Sequence, residues 1–117
     1  MYKSSKRLAT KAAQLALTKK AENVITMDLR GLVNTCDFFV ICDGTTDVHV
    51  KAIADAIADG LIEVGEKAWH VEGAGGKRWI LLDYVNVVVH VFDRETRDYY
   101  QLERLWGDAK IQKYEDD

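Results

Sequence analysis

The stretch RWILLDYVNVVVHVF, residues 78–92, contains two runs of alternating side chains in which both alternating sets are apolar. A period of two predicts β-strands, and the middle of the stretch predicts the turn of a hairpin. Trp79 and Leu81 would lie on one face, and Ile80 and Leu82 on the other. A hairpin that is apolar on both faces needs a second cover, which is either another helical layer or a bound partner.

The flanking sequence alternates predicted helices and strands. The predicted elements are a helix at 5–20, strands at 24–29 and 37–42, a helix at 45–64, a strand at 67–71, the hairpin, and a short helix within 93–106. The order α-β-β-α-β-β-β-α predicts an α/β fold with a mixed sheet of about five strands, in which the second and third strands could form a parallel crossover. Residues 1–109 are predicted to form a single domain, and residues 110–117 a loose polar tail.

The central helix carries the clearest signals. Thr45 or Thr46 can cap it, Asp47 suits its first turn, and Gly65 suits its end. Its predicted core side is Val50, Ile53, Ile57, Leu61 and Val64, and its predicted solvent side is Asp47, Lys51, Asp55, Asp59 and Glu63. In the last helix, the side chains predicted to point inward are Tyr99, Leu102, Leu105 and Trp106.

Composition limits the class of protein. The chain has 117 residues and a net charge of −3, so it is predicted to be one globular domain whose surface as a whole does not suit nucleic acid. The first twenty residues carry only basic charges, at Lys3, Lys6, Arg7, Lys11, Lys19 and Lys20. Helical spacing of Leu8, Ala12 and Ala16 favours a folded helix there over a transit peptide. No apolar run predicts a membrane span.

Signals for chemistry are weak. The glycine-rich loop at 72–77 lacks the spacing of a P-loop and precedes a strand, which favours a flexible hairpin loop. The turn at 43–47 leads into a helix N-terminus and is a better anion candidate. Nucleotidyl transfer would also need paired carboxylates for magnesium, and Asp83 stands alone.

Histidine and cysteine patterns predict no metal centre. A site combining His49 and His90 with Asp43 or Cys42 is conceivable, but no metal-binding spacing supports it. Because His90 alternates with apolar residues, it is predicted to be a hydrogen-bonded core or interface residue. Cys36 and Cys42 fit neither a zinc knuckle nor a redox pair, and are predicted to stay reduced in a cytosol-like compartment.

Five ordered blocks of the sequence resemble the Iojap or ribosomal silencing factor family. They are DLRG (28–31), DFFVICDGTTDVHVKAIAD (37–55), VEG (71–73), WILLDYVNVVVHVF (79–92) and YYQLERLWGDA (99–109). The resemblance therefore covers nearly the whole chain. It implies a nucleotidyltransferase-like α/β fold that has lost catalysis, in agreement with the missing carboxylate pair.

The resemblance also implies a partner. Such proteins bind ribosomal protein L-fourteen on the intersubunit face of the large subunit, block joining of the small subunit, and reduce translation when nutrients are short; organelle relatives act in large-subunit assembly. Trp79 and Tyr84 occupy the family's contact positions, and the expected contact set is Trp79, Ile80, Asp83, Tyr84 and Asn86. No catalytic residue, cofactor or metal is expected. A cytoplasmic location is expected, and ribosomal RNA contact and a homodimer are left open.

The hairpin turn departs from the family pattern. The family usually has Gly-Asp where this chain has Val85 and Asn86. A β-branched residue resists the positive φ that glycine accepts, so the turn is expected to be of another type. Trp79 and Tyr84 are five residues apart and nominally on opposite faces, so they could share a surface only if this turn redirects Tyr84.

The expected function is a non-enzymatic factor that prevents subunit association. Trp79→Ala and Tyr84→Ala are each expected to leave the fold intact and remove large-subunit binding. One alternative is a nucleotide-binding or nucleotidyl-transfer enzyme that uses the turn at 43–47. A second alternative is a large-subunit assembly factor whose basic first helix contacts RNA, with binding that weakens as salt rises.

Overall fold

The computed structural model describes residues 4–73, 75, 78–100, 107 and 109–115, with the backbone alone for residues 98–100. The elements are α1 (Ser5–Leu17), β1 (Glu22–Asp28), β2 (Phe38–Gly44), α2 (Asp47–Glu63), β3 (His70–Glu72), β4 (Trp79–Asp83), β5 (Val87–Asp93), α3 (Arg94–Tyr100) and β6 (Lys110–Tyr114). The predicted inward side chains of the last helix, Tyr99, Leu102, Leu105 and Trp106, lie outside the described residues. None of the described helices is long and apolar enough to cross a membrane.

The strands form one mixed sheet in the order β3-β4-β5-β2-β1-β6, which is one strand more than predicted. The pair β2 and β5 is parallel, and the other neighbouring pairs are antiparallel. The mixed α/β class is confirmed, but the predicted parallel neighbour is wrong. After α2 the chain enters β3 at the far edge of the sheet, and the β4–β5 hairpin returns to pair beside β2.

The predicted loose tail needs a correction. Residues 110–114 form β6, which pairs antiparallel with β1. Tyr114 packs against the core, and its hydroxyl lies 3.4 Å from the hydroxyl of Thr10 on α1. A polar strand can pair in this way because the hydrogen bonds join backbone groups, which every residue carries.

Both long helices begin with a side-chain cap, and that of α2 is one of the two predicted threonines. Ser4 accepts a hydrogen bond from the N–H of Arg7 at the start of α1, and Thr46 accepts one from the N–H of His49 at the start of α2. Gly65, with φ of +88°, follows the end of α2 as predicted. The helices pack closely at Gly60, where an added Cβ would lie 2.5 Å from the Leu15 side chain.

Two apolar clusters cover the two faces of the sheet. On the helical face, α1 and α2 pack against Ile80, Leu82, Tyr84, Val87, Val89 and Val91. We call the other side the opposite face; its buried cluster is Ile25, Met27, Leu29, Cys36, Ile41 and Phe92. This face is covered in part by the loop after β1, which contributes Leu29 and Cys36, and by α3, which contacts β5 and β2.

Candidate partner-binding surface

The opposite face is incompletely covered around β4. Strand register places Trp79 beside Phe92, Leu81 beside His90, and Asp83 beside Val88, with Phe39 of β2 next in line. We define the β4 surface as the half-buried side chains of Phe39, Trp79, Leu81, Asp83 and Val88. These neighbours on three adjacent strands form one continuous surface that is mainly apolar.

Acidic groups lie along one border of this surface. Asp83 belongs to it, and Glu72 on the edge strand β3 pairs in register with Leu81. His70 pairs in register with Asp83, and its Nε2 lies 2.9 Å from a carboxylate oxygen of Glu72. An apolar centre with a polar border is the usual anatomy of a protein–protein interface.

Trp79 is held by a buried aromatic cluster. Its indole N–H donates to Nδ1 of His90 over 3.1 Å. His90 packs edge-on against Phe39 at 4.5 Å between ring centroids and is stacked with Phe92 at 6.0 Å. Burial lowers the pKa of His90 to about 4, so the imidazole is neutral at pH 7. Its Nδ1 can therefore accept the hydrogen bond from the indole.

The predicted contact residues fall into two groups. Trp79 and Asp83 lie on the opposite face, and Asn86 is exposed in the turn next to them. Ile80 and Tyr84 lie on the helical face under the helices, with 1% and 7% of their surfaces exposed. The expectation that Trp79 and Tyr84 share one surface is wrong, because the turn leaves Tyr84 on the face that strict alternation gives it.

The hairpin turn has an unusual backbone. Val85 adopts the positive φ that was expected to exclude it, at +73°. The N–H of Asn86 donates to the carbonyl oxygen of Tyr84 over 2.9 Å, which makes a three-residue γ-turn centred on Val85. Asp83 accepts the Val85 N–H over 2.7 Å. The Asn86 carbonyl oxygen accepts the N–H groups of Asp37 and Phe38, so the turn is anchored to the start of β2.

Val85→Gly is expected to raise the free energy of unfolding by about 1 kcal/mol. Positive φ in a residue other than glycine costs about 1–3 kcal/mol, and the extra unfolded-state entropy of glycine offsets part of that gain. Little packing is lost, since 55% of the Val85 surface is exposed. Urea unfolding measures the difference. Asn86→Gly is the matched control, because φ of Asn86 is not positive. If Asn86→Gly raised the free energy of unfolding as much as Val85→Gly, this explanation would be contradicted.

A buried ion pair occupies the turn that was the alternative anion site. Asp43 accepts hydrogen bonds from Arg97 over 2.9 Å at one oxygen and from Asn23 over 2.8 Å at the other. Asp43 and Arg97 are 2% and 7% exposed. Burial raises the pKa of Asp43, while the Asn23 and Arg97 hydrogen bonds oppose the rise. With both oxygens engaged, this carboxylate is poorly placed to bind a magnesium ion.

The same turn uses other polar groups internally. The N–H of Thr45 donates to Nδ1 of His49 over 2.9 Å, and Nε2 of His49 lies 2.7 Å from the carbonyl oxygen of Lys19. His49 therefore joins the start of α2 to the segment after α1. Its role here is structural, and sequence reasoning had no signal for it.

The conceivable metal set is not assembled. Cys42 packs on the helical face, whereas His90 and Asp43 lie on the opposite face. Among the described residues, no group of three potential ligands could hold a metal ion. Cys36 and Cys42 are free and buried, in the two separate clusters. Burial raises the pKa of Cys42 to about 12, which makes that thiol a poor nucleophile.

Comparisons with known proteins agree with this architecture. A family model described as "Ribosomal silencing factor during starvation" matches residues 2–117. The chain is 43% identical over 100 residues to the ribosomal silencing factor RsfS of Bacillus subtilis, covering 86% of this chain and 85% of that protein. It is 41% identical over 106 residues to the RsfS of Halalkalibacterium halodurans, covering 91% of each. A crystal structure of a Chromobacterium violaceum protein matches with a TM-score of 0.86 at 28% identity, covering 97% of this chain and 94% of that one.

Proposed function

The chain belongs to the ribosomal silencing factor family of ribosome-associated translational regulators, and from this premise we propose that it is a translational repressor that binds the large ribosomal subunit. Its partner on that subunit is ribosomal protein L-fourteen. The bound protein occupies the intersubunit side and prevents the small subunit from joining. Repression by occlusion requires affinity and position, and no covalent bond is made or broken, so we infer that the protein is not an enzyme.

The β4 surface is the observation that supports this proposal. It is the part of the opposite face that the loop after β1 and α3 leave half-covered, and it places a tryptophan among apolar side chains. Tryptophan is a frequent anchor of protein interfaces, and partly exposed apolar patches mark partner sites. Trp79, Leu81 and Val88 form the proposed centre, and Asp83 and Asn86 the proposed border. Ile80 and Tyr84 support the strand from beneath.

Co-sedimentation with separated ribosomal subunits tests the proposal. The protein is expected to pellet with large subunits and not with small subunits. Preincubation with large subunits is expected to reduce the yield of joined ribosomes when small subunits are added. Pelleting with both subunits equally, or unchanged joining at saturating protein, would overturn the proposal. Calorimetry with ATP and magnesium tests the enzymatic alternative. That alternative requires saturable binding of ATP that is lost when residues 43–47 are substituted.

A contact with ribosomal RNA is a second, compatible proposal. A groove of about 490 Å³ between α1 and the β1–β6 edge is lined by Lys6, Lys110 and Lys113, with Asp28 as its acidic residue. Asp28 is already paired with Arg30, and that pairing lowers the pKa of Asp28. None of the three lysines makes an ion pair within the described chain. Such a groove suits a phosphate backbone.

Lys6→Glu combined with Lys110→Glu is expected to weaken binding to naked ribosomal RNA and to flatten its salt dependence. Each lost phosphate contact lowers the slope of log affinity against log salt by about 0.7–0.9, so the double variant should lose roughly 1.5. Filter binding across a salt series gives the slope. Lys67→Glu, an exposed lysine after α2, is the control. An equal loss per substituted lysine in both variants would indicate net charge alone and contradict the groove.

Two further predictions stay proposals. We propose a cytoplasmic location, because the protein is expected to meet ribosomes there. We also propose that a homodimer, if it forms, uses the outer edge of β6, which has no paired strand among the described residues and carries the 46% exposed Ile111.

A further inference from the structure

The indole N–H of Trp79 is already used inside the protein. It donates to Nδ1 of His90, and the two ring centroids lie 5.8 Å apart. An indole nitrogen can only donate, so Nδ1 must be the acceptor, and the neutral imidazole must carry its proton on Nε2. The half-buried ring of Trp79 thus turns its polar edge toward the interior and its carbon surface outward.

His90 is not an optimal residue for stability at this position. It is 4% exposed, and its Nε2 has no hydrogen-bond partner in the part of the chain that the structure describes. Its ring is surrounded by Phe39, Phe92 and Trp79. A buried N–H without a partner is destabilising, and an apolar side chain in this cluster would avoid that cost. The imidazole supplies one thing that an apolar side chain could not, which is an acceptor for the indole.

We propose that His90 is a positioning residue for partner binding, which fixes the ring of Trp79 in the orientation that docks. This inference rests on the proposed function, because it assigns His90 a role at the same surface. A tryptophan that is already ordered loses less conformational entropy when the partner covers it. Since its only polar group is engaged, the partner group that covers Trp79 is apolar and supplies no acceptor.

Three substitutions at position 90 separate positioning from packing. His90→Phe and His90→Leu both remove the acceptor. Phenylalanine is larger than histidine and leucine is slightly larger, so both fill the cluster. His90→Gln keeps an oxygen that can accept the indole N–H. Each variant is measured by urea unfolding, by co-sedimentation with large subunits, and by the Trp79 indole resonance in proton–nitrogen spectra. Trp79→Phe assigns that resonance by its disappearance.

The acceptor-less variants are expected to unfold at the same or higher urea concentration than the parent, yet to bind large subunits up to about tenfold more weakly. Their indole resonance should move upfield and its proton should exchange faster with solvent. His90→Gln should keep the resonance near its parent position and recover most of the affinity. Weaker binding without lower stability is the result that a purely structural role would not produce.

Each contrary outcome has a distinct meaning. If the parent binds and His90→Phe and His90→Leu bind equally tightly, the positioning role is overturned while the proposed function stands. An unmoved indole resonance in both variants overturns the hydrogen bond itself. If the parent does not bind large subunits, the proposed function fails, and the positioning role fails with it.

Discussion

Trp79→Ala is expected to weaken binding to the large ribosomal subunit by roughly thirty- to a thousandfold, or about 2–4 kcal/mol. The ring belongs to the β4 surface, where it is half-buried beside Phe92 of β5. Truncation removes the largest apolar side chain of the β4 surface and leaves Nδ1 of His90 without its donor. Co-sedimentation at several protein concentrations gives the affinity, and circular dichroism shows whether the sheet persists.

Trp69 offers a matched control for this substitution. Trp69 is 75% exposed, which is more than Trp79, and it immediately precedes β3. Its backbone N–H donates to the carbonyl oxygen of Asp83. Trp69 lies outside β3 and is not part of the β4 surface, although its ring centroid is 6.2 Å from that of His70 at the border. Trp69→Ala should therefore retain binding. If Trp79→Ala pellets with large subunits as the parent does, or if Trp69→Ala is equally defective, the β4 surface is not the binding site.

Tyr84→Ala is expected to lower the free energy of unfolding by about 3–5 kcal/mol, which would unfold a substantial fraction of a marginally stable domain. The side chain is 7% exposed and belongs to the cluster beneath α1 and α2. This expectation replaces the earlier one, in which Tyr84→Ala left the fold intact. Urea unfolding measures the loss, and any loss of ribosome binding by this variant would follow from unfolding.

Tyr84→Phe distinguishes a core residue from a contact residue. The hydroxyl of Tyr84 is buried and has no hydrogen-bond partner in the described chain. Burial, together with the charge of Glu66, raises the pKa of Tyr84 to about 12, so the group stays neutral. Removing it should leave stability unchanged or raise it by about 1 kcal/mol, with full ribosome binding. Loss of binding by a stable Tyr84→Phe variant would restore Tyr84 as a contact.

Local patterns carried most of the fold. The alternation in residues 79–92 predicted the hairpin, helical spacing predicted α1, and a cap with helical spacing predicted α2. Each signal lies within a few residues of the element that it forms. The sixth strand had no such signal, since Lys110 and Gln112 are polar and it is their backbone groups that pair with β1. The parallel pairing of β2 with β5 could not be predicted from local patterns either. It depends on where the β4–β5 hairpin packs in the sheet, which is a long-range property.

The surface was only partly predictable. Alternation placed Trp79 and Asp83 together and placed Tyr84 on the other face, and the structure agrees with that alternation. The attempt to bring Trp79 and Tyr84 onto one surface assumed that the turn would redirect the chain, which it does not. The burial of Arg97 could not be inferred, because it depends on Asp43 and Asn23, which are distant in sequence.

The pairing of β6 with β1 joins the last described strand of the chain to the first. During synthesis β1 is made first among the strands, but its outer edge is satisfied only when residues 110–114 are available. Until then, a strand with four consecutive buried residues, from Val24 to Met27, presents unpaired backbone at its edge. Such edges promote aggregation, so a truncation that removes residues 110–114 should reduce the yield of soluble protein.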